Sequence, residues 1–113
     1  AEAVASLDPV IVSWSVGSET TVGKNRRIPG GIIDPQVPVV RFQRSDGTVA
    51  ALLVSYACHP VTLGPNNLLA TADYPGYVRR TLEAAYPGAA VQFAQLGTST
   101  HPVLSASDFV VIA

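Results

Sequence analysis

His59 ends the apolar, β-rich run "LLVSYACHP" and is followed by Pro60, which cannot continue a sheet. Neutral imidazole is the commonest metal ligand and a base poised near neutral pH. The plainer alternative is a half-buried histidine bonded to a loop carbonyl. Asp73, in "TADYPG", stands where a helical pattern begins, and is there a helix cap, an oxygen ligand or a general base. His101, in "GTSTHPV", follows the next strand through Gly97. It emerges on the same side of the sheet as His59 if a helix crossover makes the two strands parallel. Two histidines and an aspartate at one edge amount to three ligands, enough for a zinc ion that keeps a position open for water. Arg26 and Arg27, in "KNRR", are either a solvated turn or a clamp for an anion or a polarised carbonyl, since guanidinium offers a planar fork of donors. Cys58 alternates away from His59 in a strand and reads as a small core residue. A triad of Ser99, His59 and Asp73 lacks the G-x-S-x-G elbow that would support it.

The elements that must position these residues are legible from period and punctuation. "PVIVSWSVGSE" (9–19) alternates as a strand, with Trp14 on its more apolar face. "GKNRRIPGGIIDPQ" (23–36) is a Gly- and Pro-rich loop. Two β-rich runs within 37–60 flank Ser45-Asp46-Gly47, where Asp-Gly supplies the positive-φ positions of a tight hairpin. Thr71 or Asp73 then caps a helix with Pro75 in its first turn. Its inner face is expected to carry Tyr74, Tyr77, Val78, Leu82 and Ala85, with Arg79, Arg80 and Glu83 outward. Pro87-Gly88 stops the helix, 89–97 forms a second buried strand, and "DFVVIA" (108–113) a last one. The expectation is a single α/β domain over 1–113: a small mixed β-sheet with a β-hairpin and one main helix crossover.

Composition narrows the function classes. Of 113 residues, 48% are hydrophobic and 13% charged, against roughly 25% charged in ordinary soluble domains. Too few charges remain to cover the surface, so a symmetric homodimer or higher oligomer is expected, burying the tail and the sheet face that one helix leaves open. The net charge of −1 and the lack of a basic run argue against nucleic acid and anionic membranes. No apolar run approaches the ~18 residues of a membrane helix, so stable membrane insertion is not expected. A single cysteine excludes an internal disulfide and leaves the compartment open. The absence of methionine and of a signal pattern reads as a processed product or an expressed fragment.

Taken in order, "NRR … DPQVPVVRF … DGTVAALLVSYACHPVTL … TADYPGYVRRTLE … VQFAQ" resembles a central part of the neutral/alkaline ceramidase family, over roughly residues 8–97. The resemblance implies a zinc-dependent amidase in which a strand-end His-Pro, here His59, binds the metal. It implies substrate contacts from an Asn-Arg pair, here Asn25 and Arg26, and places Asp73 on the family's aspartate before a helix. The upstream histidine-rich segment and the downstream glutamate and tyrosine of the family's zinc site have no counterpart. Where the family continues Gly-Asp-x-(Ser/Asn)-Pro, this chain reads "LGTSTHPVLSASDFVVIA". One codon choice for Leu96–Pro102, read from the last base of the leucine codon, encodes Gly-Asp-Ile-Asn-Pro. The tail 97–113 is therefore expected to be out of frame, on a truncated family segment.

These readings converge on a metal-dependent hydrolase. Zinc, or another divalent transition metal, would sit on His59 with Asp73 and His101 as partners and lower the pKa of bound water. Arg26 would stabilise the developing oxyanion. With the deep acyl-chain site missing, the expected small-molecule substrates are activated esters or phosphate esters and triesters. The rival expectation is a folded remnant or binding module without enzymatic activity.

Overall fold

The computed structural model of the chain describes residues 7–95. His101, Ser99 and the expected strand 108–113 lie outside them. Four strands, β1 (Ile11–Ser18), β2 (Gln36–Gln43), β3 (Val49–Ser55) and β4 (Ala90–Ala94), form one sheet in the order β1-β2-β3-β4, with helix α1 (Asp73–Ala85) between β3 and β4. The first two pairings are antiparallel and the last is parallel, so α1 is the crossover. This is the small mixed α/β sheet expected from the sequence.

The hairpin differs in detail from a two-residue Asp-Gly turn. Gly47 N–H donates to the Arg44 carbonyl (3.0 Å) and Arg44 N–H to the Thr48 carbonyl (2.8 Å), enclosing three residues. Only Gly47 has positive φ, at 88°. Asp46 instead accepts from the N–H and hydroxyl of Thr48, which ties the type I turn to its glycine exit. Pro38 is tolerated in β2 because the β2–β3 ladder begins one residue later, at Val39–Val54.

Alternation then sorts the core. Leu52 and Val54 of β3 and Val91 of β4 share one face of the sheet, are buried, and lie under α1. Each contributes about 1.5–3 kcal/mol relative to exposure. The helix covers this face only in part. Tyr74, Val78 and Leu82 are half-buried as expected, but Tyr77 is 70% exposed and Ala85 is exposed. The reason is that a 13-residue helix lies mainly against β4. Tyr77 thus extends past the packed stripe, and the Arg80 guanidinium sits 5.4 Å from its ring centre. The outward face behaves as expected, with Arg79 and Glu83 paired at 3.1 Å. The helix start is also corrected: Ala72 occupies the cap position without a side-chain bond, while the Thr71 hydroxyl accepts from Asp73 N–H. Among the described residues no helix is long and apolar enough to cross a membrane.

An aromatic cluster locks α1 onto the sheet. Tyr74 meets Tyr56 and Phe93 edge to face, at 6.0 and 5.5 Å. Burial, with smaller contributions from Cys58, Tyr56 and Asp73, pushes the Tyr74 phenol up to about 12. Between the ordinary tyrosine value of about 10 and about 12 the native state therefore holds a proton that the unfolded chain has released. Stability must fall as pH rises through that window. Urea midpoints taken at its two ends are expected to differ more for the parent protein than for Tyr74→Phe; equal differences would contradict this assignment.

Candidate functional site

Because β1 runs antiparallel to β2 and β2 to β3, the end of β1, the start of β2 and the end of β3 lie together, and the parallel β4 ends beside β3. Loop 19–35, the segment after Tyr56 and Gln95 therefore meet at one end of the sheet. In open α/β sheets that carboxyl end is where ligands bind.

Tyr56 fastens two of these segments. It carries on the Leu52–Val54 alternation past the end of β3 and is only 3% exposed. Its hydroxyl donates to the Glu19 carbonyl (3.2 Å) and accepts from Gly23 N–H (3.2 Å). A Cβ on Gly23 would overlap that hydroxyl, so the approach requires glycine. Further along the loop, Asn25 Oδ1 accepts from the N–H groups of Arg27 and Ile28, both at 3.0 Å, and its Nδ2 donates to the Ile32 carbonyl (3.1 Å). The Asn25 amide is thus engaged within its own loop, folding it so that Arg26 projects from it.

The result is a cleft of about 480 Å³ whose lining includes Lys24, Asn25, Arg26, Asp34, Cys58 and His59. It brings the Asn25-Arg26 pair and His59, far apart in sequence, to one place. Arg26 is exposed and makes no hydrogen bond or ion pair among the described residues. Cys58 lines the same cleft as His59. The strand ends at Ser55, so the alternation that would have turned Cys58 away no longer applies. Burial pushes its thiol above the ordinary range, the Asp73 carboxylate adds to this and Arg26 opposes it, which makes Cys58 a poor nucleophile at neutral pH.

His59 is exposed and its Nδ1 lies 2.9 Å from Nε2 of Gln95, the first residue after β4. β4 runs parallel to β3, so the chain leaving it emerges beside His59. The described residue that reaches it is Gln95, whereas His101 lies outside the described residues. Asp73 lines a second cavity, between α1 and the sheet, rather than the cleft. Its carboxylate accepts from the Thr62 hydroxyl (2.6 Å), Leu63 N–H (3.3 Å) and Tyr74 N–H (2.7 Å). Led by the Thr62 bond, these hold its pKa below the ordinary carboxylate value. Asp73 also has a positive φ of 50°, a conformation that aspartate tolerates better than most residues. It staples the start of α1 to the segment after His59. Tyr74 fixes that segment from its other side, its hydroxyl donating to the Cys58 carbonyl.

The donor set for zinc is correspondingly small. Among the described residues no three His, Cys, Asp or Glu side chains cluster closely enough to hold an ion. Among the described residues His59 is the one imidazole in the cleft, and the Asp73 oxygens are bonded to the adjoining loop and helix start. The described residues therefore fit one ligand position of a zinc centre and not a complete set.

No protein-family model matches the sequence, and no curated protein does. Solved structures do match. A ceramidase complexed with C2 superimposes with a TM-score of 0.67 at 25% identity, over 82% of this chain and 17% of that one. The neutral ceramidase from Pseudomonas aeruginosa gives the same TM-score at 23% identity, over 94% of this chain and 21% of that one. This chain has a ceramidase-like fold and spans about a fifth of the length of the structures it matches.

Proposed function

We propose that the cleft is a hydrolytic site for activated esters or phosphate esters and triesters, with His59 as the base and Arg26 as the oxyanion clamp. The observation that carries this reading is the convergence of loop 19–35 and the segment after β3 on one cleft, whose lining holds the exposed Arg26 and the exposed His59 together. The likeness to ceramidases, which are hydrolases, supports the reaction class. In the step proposed, a water oxygen attacks the electrophilic carbon or phosphorus while His59 takes the water proton. The electron pair of the C=O or P=O bond moves onto oxygen, facing Arg26. Collapse then expels the alcohol or phenol, which leaves with the proton from His59. Lys24 adds positive charge to the rim, and Asn25 keeps the loop that presents Arg26 in shape.

Zinc belongs to this proposal as the cofactor. A ring nitrogen of His59 that holds the metal cannot also take a proton, so zinc is the alternative to the base role just described; His59 would hold it, with Asp73 and His101 as the expected partners. When bound, it would supply a hydroxide near neutral pH. The incomplete donor set is also what favours the second reading, a binding module that keeps the sheet without the chemistry. A homodimer is proposed as well, supported by Trp14, which is 63% exposed on the sheet face away from α1, and by the unpaired outer edge of β1 among the described residues.

One preparation, purified without a metal-affinity tag, tests all of this. Turnover of p-nitrophenyl acetate and of an aryl phosphate triester above the buffer rate is expected, with stoichiometric zinc by elemental analysis and a dimer by sedimentation. Rates no higher than buffer for both substrates would leave the non-catalytic reading. A metal-free active protein would remove zinc from the proposal, and a monomer would remove the dimer.

A further inference from the structure

Arg41 was not among the residues that sequence reading singled out, yet it stands where an apolar side chain is due. Val37, Val39 and Arg41 of β2 alternate onto one face of the sheet. Val39 and Arg41 pair there with Val54 and Leu52, the residues that lie under α1. The β1 residues opposite this row, Gly17, Ser15 and Ser13, are all small. The bulkier Val12, Trp14 and Val16 turn to the other face. Helix α1 does not fill the space so left, because it packs mainly against β4. The result is a groove of about 700 Å³ between α1 and the β1–β2 half of the sheet. Val37 and Val39 are half-buried on its floor, and Val78 and Leu82 half-buried along its wall.

Among the described residues Arg41 is the only charged group lining this groove. Its Nε donates to the Ser13 hydroxyl (3.3 Å), and it takes part in neither ion pair of the described residues. The two Nη groups therefore remain as a planar set of donors, the arrangement that matches a carboxylate. One guanidinium balances one negative charge, and the apolar floor offers nothing to a second. A cation is repelled at the same rim. Concave, mostly apolar sites with a few placed polar groups are the usual form of small-molecule sites.

We propose that this groove binds an apolar monocarboxylate, with its carboxylate on Arg41 and its body along Val39, Val37 and Val78. The run from Arg41 to Val37 is about 14 Å at ~3.4 Å per residue, which suits an elongated aliphatic or aromatic body. The site is separate from the His59 cleft and does not depend on the hydrolytic reading. Arg41 lies roughly 17 Å along β2 from Gln36, which stands at the cleft end of the sheet.

A ¹H–¹⁵N NMR titration of the full chain with decanoate, naphthoate and decyltrimethylammonium tests this, each kept below the concentration at which it self-associates. Decanoate or naphthoate should give saturable shifts centred on the amides of residues 37–41 and 77–82. The tighter of the two identifies the aliphatic or the aromatic class. Decyltrimethylammonium, the same chain with the opposite charge, should bind about tenfold more weakly or worse. Arg41→Gln should weaken carboxylate binding about tenfold, the loss of a charge-assisted hydrogen bond at an exposed rim. Salt should weaken binding in the parent protein and not in this variant. Ser15→Leu should fill the groove and abolish binding. Both positions are exposed, so the urea midpoints of the two variants should stay near the parent value. Equal affinity for the carboxylates and the ammonium would overturn the proposal, as would binding unchanged in Arg41→Gln or shifts centred on the His59 cleft. No saturable binding of either carboxylate would overturn it too. So would the same amides shifting on dilution without ligand, which would mark the groove as a contact with a second copy of the chain.

Discussion

Replacing His59 by alanine is expected to lower turnover of p-nitrophenyl acetate by roughly 10²–10⁴-fold, the range by which a positioned general base accelerates a proton transfer. Among the described residues His59 is the only imidazole of the cleft, and the neighbouring Cys58 thiol is held protonated by its burial. The loss should fall on kcat, because the proton moves only as the oxyanion forms, while the affinity for a neutral ester changes little. Stability should change by no more than about 0.5 kcal/mol, since the ring is exposed and its one side-chain partner, Gln95, is exposed too. That separates a catalytic loss from an unfolding one, with a urea midpoint as the control. Arg26→Ala should lose about 10²–10³-fold, and Arg26→Lys should recover only part of it, because an ammonium provides charge without the planar fork. Full activity in His59→Ala would show that the hydrolysis occurs elsewhere on the molecule.

How much of this was legible in the sequence depended on whether a residue's role is set by its neighbours in the chain or by distant ones. Strands β1–β4, the Asp46-Gly47 hairpin and the helix ending before Pro87-Gly88 are local matters of period and punctuation, and they lie where those signals put them. The details that went astray were decided by tertiary packing. Tyr77 has the spacing of an inner-face residue but lies beyond the strands that α1 covers. Cys58 was placed by extending a strand that stops at Ser55, where Tyr56 turns to its partners in loop 19–35. Asp73 stands where a helical pattern begins, which offers a cap, a ligand or a base, yet its bonds reach Thr62 and Leu63, eleven and ten residues upstream. Gln95 carried a weaker signal: an amide one residue past a strand expected to run parallel to the His59 strand. His101 is the more conspicuous of the two in sequence because imidazole advertises chemistry and an amide does not. The cleft itself required the β1–β2 loop to fold over the end of β3. Among the described residues the long-range bonds of Tyr56 tie it there.

That dependence makes Tyr56 a position of high sensitivity. Tyr56→Ala is expected to destabilise the fold by about 3–5 kcal/mol, as truncation of a buried aromatic does. Against a total of about 5–15 kcal/mol for a domain, this is enough to leave it marginal. The side chain is buried, packs edge-on against Tyr74, and joins residues 33 and 37 positions apart. Tyr56→Phe isolates the polar part. The ring and its packing remain, but the Glu19 carbonyl and Gly23 N–H lose their partner, at a cost of about 1–3 kcal/mol. This loss should be local: amide exchange at Gly23 should quicken while that of Leu52 and Val54 in β3 stays slow, and turnover should fall as Arg26 loses its fixed position. The same contact can be probed from the glycine side. Gly23→Ala should destabilise the parent protein because the new methyl meets the Tyr56 hydroxyl, and it should do so less in the Tyr56→Phe background, where the obstructing oxygen is gone. Denaturant unfolding of the two single variants and the double variant measures the coupling directly. Strict additivity would mean that loop 19–35 is held over the strand end by something other than this hydroxyl.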